Sequence, residues 1–285
     1  MSFRSAFAIA PLLTLALACS ASSRDSNKAA GGDGGAGTPG SIVGPDDAGQ
    51  DGGGDCAQNI DIVFVMDVST SMDGFLNKLA QEMPVVDQKL KAISPVANPY
   101  YGLAVFVDDA MLLNNGNPFQ NVDSLKQEFE KWAKFAKGNS ELSGNGSNMT
   151  YPENSLDALY AAADGFHWRP GSLRIVIHTT DDTFWNGPTS QDGVNIQHSY
   201  PATVKKLIDT QVRDFSYASK LGGSDETTDV SMGWFGPYQG QDSIPKATFG
   251  DVYELADVVS GKVSLANSIE KLVQDTFCKP YAPVK

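Results

Sequence analysis

Cysteine and histidine are scarce in this chain of 285 residues, which contains three of each. Three cysteines are too few for a zinc ribbon, a cysteine-ligated iron–sulfur cluster or a small secreted scaffold built on disulfides. No HExxH pair is present, and neither a GxGxxG nor a Walker A motif follows the first predicted strand. These absences exclude the zincin, dinucleotide-binding and P-loop classes that those motifs define.

Basic residues are also few, because 21 Lys and Arg stand against 34 Asp and Glu, a formal net charge of −13. Residues 56–285 alone hold 18 basic and 28 acidic side chains, a balance of −10. Nucleic acids and anionic lipid surfaces are bound through positive patches. The composition therefore argues against nucleic-acid binding and against membrane attachment by charge, and a bridging cation would help the chain to approach an acidic protein.

No hydrophobic run is long enough for a confident membrane span. The apolar stretch between Arg4 and Cys19 is short and broken by a proline. Residues 1–18 are therefore predicted to be a secretory signal peptide and not a membrane span. The stretch ends in Ala-Leu-Ala-Cys and resembles a bacterial lipobox, which implies lipidation of Cys19. The match is imperfect, because Ala16 stands where lipoboxes favour leucine, and ordinary cleavage at a small-x-small site is the alternative.

Residues 19–55 are predicted to form a flexible tether. Residues 31–55 contain 11 glycines and five aspartates, with Ile42 and Val43 as the only large apolar side chains. Such a segment cannot bury enough apolar surface to offset the entropy of ordering its backbone. The aspartate spacing does not match an EF-hand loop, so we interpret the segment as a solvated acidic linker. Residues 56–285 remain as a single domain.

From residue 60 onward, apolar strand-like runs alternate with amphipathic helical patterns. The run Ile60–Met66 is typical of a strand buried on both faces, and apolar residues spaced by three and four then continue to Ile93. Further strands are predicted at Tyr100–Val107, Ala110–Leu113, Leu173–Thr179, Val212–Tyr217 and Val252–Val258, and further helices near Leu125–Ala136, Leu156–Ala163, Val204–Ile208 and Leu265–Phe277. This alternation predicts an α/β fold with a doubly wound, mostly parallel sheet and helices on both faces.

Three polar segments stand at the predicted carboxyl ends of strands or just before a helix. They are Asp67-Val68-Ser69-Thr70-Ser71, the stretch Gly144–Glu153 with Thr150 near its end, and Thr180-Asp181-Asp182. In this order they resemble the three metal loops of a von Willebrand factor type A (vWA) domain, which together form a metal-ion-dependent adhesion site (MIDAS). The resemblance covers residues 60–278, and it departs from the family at Asp182, where many members have glycine.

The resemblance implies a metal site with a defined set of ligands. They are Asp67, Ser69, Ser71, Thr150 and Asp181, with Glu153 as a further candidate. Mg²⁺ prefers six oxygen ligands, and Mn²⁺ or Ca²⁺ could occupy the same kind of site. A ligand set rich in neutral hydroxyls leaves part of the positive charge of the cation uncompensated. An Asp or Glu carboxylate from a protein partner can therefore act as its last ligand.

Each of these residues also has a structural interpretation. Asp67 and Ser69 could cap the helix that follows, and Glu153 could favour the positive N-terminus of the third helix. Thr150 could be a turn residue and Asp181 an ordinary loop acid. The metal site is favoured because all the segments occur together and in the family's order.

Cys56 and Cys278 bracket the predicted domain. The vWA resemblance implies a disulfide between them, which an exported protein permits, and two unrelated thiols are the alternative. Such a bond would restrain a shift of the last helix. Within the domain, His178 lies in a predicted buried strand and is interpreted as a core residue.

Two long loops, Thr183–Tyr200 and Lys220–Thr248, are rich in aromatic residues at the predicted metal end. The candidate partner contacts in these loops are Trp185, Trp234, Phe235 and Tyr238. Aromatic anchors are typical of binding hot spots, although such side chains also commonly hold a long loop together.

Together these features predict a divalent-cation-dependent adhesion module that binds a protein ligand, with no catalytic residues. We expect a monomeric domain, exported to a bacterial cell envelope as an outer-membrane or surface lipoprotein, or else secreted or periplasmic. One alternative is an envelope scaffold whose metal site is idle or structural. A Mg-dependent phosphatase with Asp67 as nucleophile fits less well, because Ser69 stands where a second aspartate is needed and no general base is evident.

Overall fold

The computed structural model describes residues 56–282 except 58, 94–97, 145, 149–150, 192 and 223–226. The predicted signal peptide at 1–18, the tether at 19–55 with Cys19, and the candidate ligand Thr150 lie outside the described residues. Within the described residues, no helix combines the length and the apolar character needed to cross a membrane.

The described residues form ten strands. They are β1 (Asn59–Asp67), β2 (Tyr100–Phe106), β3 (Ala110–Leu112), β4 (Ser172–Thr180), β5 (Thr189–Gln191), β6 (Val194–Ile196), β7 (Val212–Ala218), β8 (Leu221–Gly222), β9 (Thr228–Asp229) and β10 (Asp251–Glu254). Six of them form the central sheet in the order β10-β7-β4-β1-β2-β3, and only β3 runs antiparallel to its neighbour. The predicted α/β fold with a mostly parallel sheet is confirmed.

Helices cover both faces of this sheet. They are α1 (Asp73–Ile93), α2 (Val122–Ala136), α3 (Ser155–Gly165), α4 (Tyr200–Asp209), α5 (Ile244–Ala247), α6 (Leu255–Val259) and α7 (Leu265–Phe277). The alternation of β1 side chains explains the two layers. Ile62 and Phe64 join the core under α1, α2 and α7, whereas Val63 and Val65 join the core under α3 and α4. Because β1 is buried on both faces, its sequence is a continuous apolar run.

The predicted strand Val252–Val258 is wrong in its second half. The strand ends at Glu254, and α6 follows directly. Leu255 and Val258 are three residues apart, and the helical turn places both in the core beneath α1. A short apolar run does not distinguish a strand from a buried helical turn, which explains the error.

The two ends of the domain are fastened together. A disulfide joins Cys56 and Cys278, as the resemblance implied. Beside it, the Ala57 backbone N–H donates a hydrogen bond of 2.9 Å to the Phe277 carbonyl oxygen. The guanidinium of Arg213 donates to the carbonyl of Lys279 at 2.8 Å, so the chain beyond α7 is also held against the sheet.

Candidate metal centre

The polar segments singled out in the sequence meet at the carboxyl end of the central strands. Asp67 is the last residue of β1, and Asp181 follows the last residue of β4. β1 pairs in parallel with both β2 and β4, so their carboxyl ends lie at one edge of the sheet. Crevices at this edge are where open α/β sheets bind ligands.

A continuous chain of hydrogen bonds joins four of the predicted ligands. Oδ1 of Asp67 accepts the backbone N–H of Ser69 at 2.8 Å, and the hydroxyls of Ser69 and Ser71 lie 3.1 Å apart. The Ser71 hydroxyl donates to Oδ1 of Asp181 at 3.0 Å. The loops after β1 and β4 therefore present two carboxylates and two hydroxyls in one small region.

The carboxyl groups of this region have raised pKa values, so their negative charges favour neutralisation by a proton or a cation. Burial, together with the nearby charge of Asp181, raises the pKa of Asp67 from 3.8 to about 7. The pKa of Asp181 is also raised, chiefly by burial. Burial, together with the charges of Asp67 and Asp181, raises the pKa of Asp182 to about 8.

Glu153 lies beside this group. It is buried immediately before α3, and one carboxylate oxygen accepts a hydrogen bond of 2.9 Å from Nδ2 of Asn148. Its other oxygen is buried and has no hydrogen-bond partner within the described residues. Burial, followed by the charge of Asp67, raises the pKa of Glu153 to about 10.

These side chains fit a bound cation. Within the described part of the chain, no Lys, Arg or His side chain forms an ion pair with these four carboxyl groups, Asp67, Glu153, Asp181 and Asp182. No positively charged side chain among the described residues lowers their pKa values. Buried carboxylates require a cation or a proton, and an orphaned buried oxygen requires a donor or a metal. The described residues hold no cluster of three or more His, Cys, Asp or Glu side chains spaced for a metal ion. Hydroxyls would therefore have to complete the ligand set.

Comparison with known families decides the identity of the domain. Residues 55–235 match the model of the vWA-like domain of integrin beta-like protein A-E. The chain belongs to this family. Among curated proteins, no sequence matches the chain.

Solved structures similar to this chain include two proteins. One is an aerotolerance-related membrane protein from Bacteroides fragilis, 16% identical with a TM-score of 0.45, where the match covers 78% of this chain and 100% of that one. The other is proximal thread matrix protein 1 of the mussel byssus, in two crystal structures with identities of 14% and 16% and TM-scores of 0.41 and 0.43. The second of these has a zinc-occupied MIDAS motif. Each match covers 77% of this chain and 49% of the mussel chain, so this chain spans about half of that protein's length.

Helix capping does not account for the loop after β1 of this vWA-like domain. The short 3₁₀ helix Thr70–Met72 has Ser69 at its N-cap position, yet no side chain forms the capping hydrogen bond. The hydroxyl of Ser69 instead faces that of Ser71. The capping interpretation of Ser69 is therefore wrong, and its hydroxyl is instead directed to Ser71 in the same loop.

Trp234 is not a partner contact. Its side chain is fully buried, packs against the His178 ring at 4.4 Å, and donates from Nε1 to the carbonyl of Asp182 at 3.2 Å. The indole thus fastens the Lys220–Thr248 loop to the loop after β4, and the prediction of a contact role is wrong. His178 is a buried core residue, as predicted, and burial lowers its pKa to about 3.

The other three loop aromatics are half-buried. Tyr238 packs against the rings of Phe184 and Tyr200, both at 4.9 Å, and Lys220 lies over the Phe235 ring at 4.7 Å. Trp185 donates its backbone N–H to the carbonyl of Glu153 at 3.0 Å. These contacts hold the loops against the metal end, and the partly exposed faces of Trp185, Phe235 and Tyr238 remain predicted contact surface.

The sequence reasoning missed Thr180 as a member of the site. Its hydroxyl donates to Oδ2 of Asp67 at 3.0 Å and accepts the backbone N–H of Asp182 at 3.1 Å. The buried threonine therefore orients the carboxylate of β1 and the turn after β4 together. The available signal was its position directly before Asp181 at the end of a buried strand.

Proposed function

We propose that this vWA-like domain binds a protein partner through a divalent cation. The observation that carries the proposal is the hydrogen-bond chain from Asp67 through Ser69 and Ser71 to Asp181, set among acidic groups that lack a described counter-ion. A partner Asp or Glu would supply the final ligand. The domain then acts as an adhesion module rather than an enzyme.

The residues proposed to hold the cation are Asp67, Ser69, Ser71, Thr150 and Asp181. When bound, the cation supplies a positive centre that attracts a partner carboxylate, and Mg²⁺, Mn²⁺ and Ca²⁺ all accept oxygen ligands. Thr180 orients Asp67 from behind, as partners of metal ligands commonly do. Glu153 contributes negative charge beside the site, and its unpartnered oxygen makes it a further candidate ligand.

The proposed setting is the bacterial cell envelope. A signal peptide at 1–18 would direct export, lipidation at Cys19 would anchor the chain to a membrane, and the tether at 19–55 would separate the domain from that anchor. The disulfide between Cys56 and Cys278 is consistent with an oxidising compartment. A lipid anchor would then be the link to the membrane.

Calorimetric titration of Mg²⁺ and of Mn²⁺ into the protein tests the metal site. We expect saturable binding to the parent protein and none to Asp67→Ala. Asp73→Ala is a matched control, because Asp73 begins α1 beside the first loop and lies 3.6 Å from Lys137, outside the hydrogen-bond chain. Equal binding by the parent and Asp67→Ala would overturn the proposal and favour the envelope scaffold.

A further inference from the structure

A small cleft of about 210 Å³ lies at the amino ends of β4 and β7, away from the candidate metal centre. Its walls are the start of β4, the start of β7 and the chain at the end of α7, which contribute Arg174, Arg213 and Lys279 among others. Asp181 of the metal centre follows the carboxyl end of the nine-residue strand β4, a length of about 26 Å. The cleft is therefore separate from the metal centre.

Positive side chains set the charge of this cleft. Arg174, Arg213 and Lys279 line it, and no aspartate or glutamate is among the described residues that do so. Asp275, in the last turn of α7, pairs with Lys271 at 2.6 Å, and this hydrogen bond lowers the pKa of Asp275 more than the charge of Lys279 does. Within the described part of the chain, the three cations thus have no carboxylate in contact with them.

Arg213 forms the floor of the cleft as a buried cation. It is only 2% exposed, its guanidinium donates to the carbonyl oxygens of Lys279 and Pro280 at 2.8 and 3.2 Å, and it lies 5.4 Å from the centre of the Tyr281 ring. Burial lowers the pKa of Arg213, because these neutral groups replace the lost hydration only in part. A buried charge favours a counter-ion, so Arg213 would attract an anion into the cleft through its field, without direct contact.

The other donors of the cleft can reach a ligand directly. Arg174 is half-buried, and one of its Nη atoms donates to the carbonyl oxygen of Thr210 at 2.9 Å. This bond fixes the guanidinium and leaves its remaining N–H groups without a partner among the described residues. Lys279 and Gln211 are exposed and line the same cleft. Donors therefore converge from β4, from the turn before β7 and from the chain after α7.

We propose that this cleft binds a phosphate group. The oxygens of a phosphate point in tetrahedral directions and accept hydrogen bonds from several walls, whereas the two oxygens of a carboxylate lie in one plane. A planar guanidinium also pairs with two phosphate oxygens at once. A phosphate monoester carries nearly two negative charges at pH 7, which suits a site with three cations.

A purely structural role does not explain the whole set of cations. Lys279 lies just beyond α7, where the negative end of the helix dipole favours a positive side chain. Arg174 lies on β4 instead, and its guanidinium is held toward the cleft by Thr210. Arg213 is buried at a cost that this dipole alone does not remove, since its pKa is lowered.

Calorimetric titration of inorganic phosphate into the full-length protein tests the site, with a chelator present to keep cations out of the metal centre. We expect saturable binding that Arg174→Gln and Lys279→Gln each weaken at least about fivefold, because hydrogen bonds to charged groups are about twice as strong as neutral ones. Arg174→Lys should give an intermediate affinity, since it keeps the charge and loses the planar fork.

Lys126→Gln is the matched control, because it removes a lysine of α2 that pairs with Glu130 at 3.6 Å and lies outside the cleft. It should bind phosphate as the parent does. Denaturant unfolding checks that the variants remain folded. No saturable binding to the parent, or equal binding by the parent, Arg174→Gln and Lys279→Gln, would overturn the proposal.

Vesicles then identify the source of the phosphate group. Phosphatidylcholine vesicles with and without phosphatidic acid, a lipid with a phosphate monoester, are sedimented with the Cys19→Ser protein, which lacks the proposed lipidation site. Sedimentation that requires phosphatidic acid and is lost in Arg174→Gln would support the site and assign the phosphate to a lipid headgroup. Binding of inorganic phosphate without such sedimentation would support the site and assign the phosphate to a soluble molecule.

Discussion

The hydroxyl of Ser71 donates a hydrogen bond of 3.0 Å to Oδ1 of Asp181, although the two residues are 110 positions apart in the chain. The bond connects the loop after β1 to the loop after β4, its neighbour in the sheet. Each loop therefore helps to position the other, and a substitution in either loop should weaken cation binding at the shared site.

Thr180→Val should weaken Mg²⁺ binding without changing any proposed ligand. The substitution keeps the shape of the side chain but removes the hydroxyl that donates to Asp67. Loss of such an orienting partner typically costs about 10–100-fold in metal affinity. Calorimetry should show this loss, whereas Thr180→Ser should bind nearly as the parent does. An unchanged affinity in Thr180→Val would mean that Asp67 needs no such support.

Metal affinity should rise with pH up to about 7. The pKa of Asp67 is raised to about 7, so this carboxyl holds a proton below that value in the metal-free protein. Metal binding must release that proton, which gives an affinity increase of up to about tenfold per pH unit for one proton. Titrations in two buffers of different ionisation enthalpy measure the proton release directly. A pH-independent affinity between 5 and 7 would contradict the raised pKa.

The metal-free protein should lose stability as the pH rises toward neutrality. The folded-state pKa of Asp67 exceeds its ordinary value of 3.8, so the folded state binds the proton more tightly than the unfolded state does. The stabilising contribution of this group is therefore complete below about 3.8 and is lost as the pH rises through about 7. Urea unfolding of the parent and of Asp67→Asn across this range isolates the effect. The variant should show a smaller decline.

Reduction of the disulfide should lower the free energy of unfolding substantially. The bond closes a segment with a sequence separation of 222, for which the chain-entropy model gives about 5 kcal/mol. Denaturant unfolding with and without reductant measures the loss, and the double variant Cys56→Ser, Cys278→Ser should match the reduced parent. If α7 is also restrained by the bond, the folded reduced protein should bind its partner with altered affinity.

Trp234→Ala should destabilise the domain by about 3–5 kcal/mol, because a fully buried indole is replaced by a cavity and a hydrogen bond to Asp182 is lost. Met232 is a matched control in the same loop, since its side chain is 53% exposed. Met232→Ala should change stability by less than about 0.5 kcal/mol. Thermal or denaturant unfolding compares the two, and equal effects would contradict the buried anchor role of Trp234.

Much of the fold could be predicted because the signals are local. The continuous apolar run of β1 reflects burial on both of its faces, and the helical spacing of α1 reflects burial along one face. The order of the three polar segments was equally visible, since strand ends meet at one edge of a parallel sheet. Sequence order alone therefore brought Asp67 and Asp181 together.

The remaining features depend on packing that the chain does not encode locally. Leu255 and Val258 read equally well as strand or helix, and only the space beneath α1 decides between them. Trp234 lies in a loop whose aromatic composition is typical of a binding surface, yet its packing against His178 makes it part of the core. Thr180 was hidden because a threonine at a strand end usually has no special role.

The disulfide described above has a mechanical consequence. Cys56 lies three residues before β1, and Asp67 is the last residue of that strand, so a pull between a bound partner and the chain before Cys56 would run along this one strand. β1 is hydrogen-bonded in parallel to β2 on one side and β4 on the other. Tension would therefore act along the backbone of β1 and not across its hydrogen bonds, and the cross-link to α7 would hold the start of the strand in place.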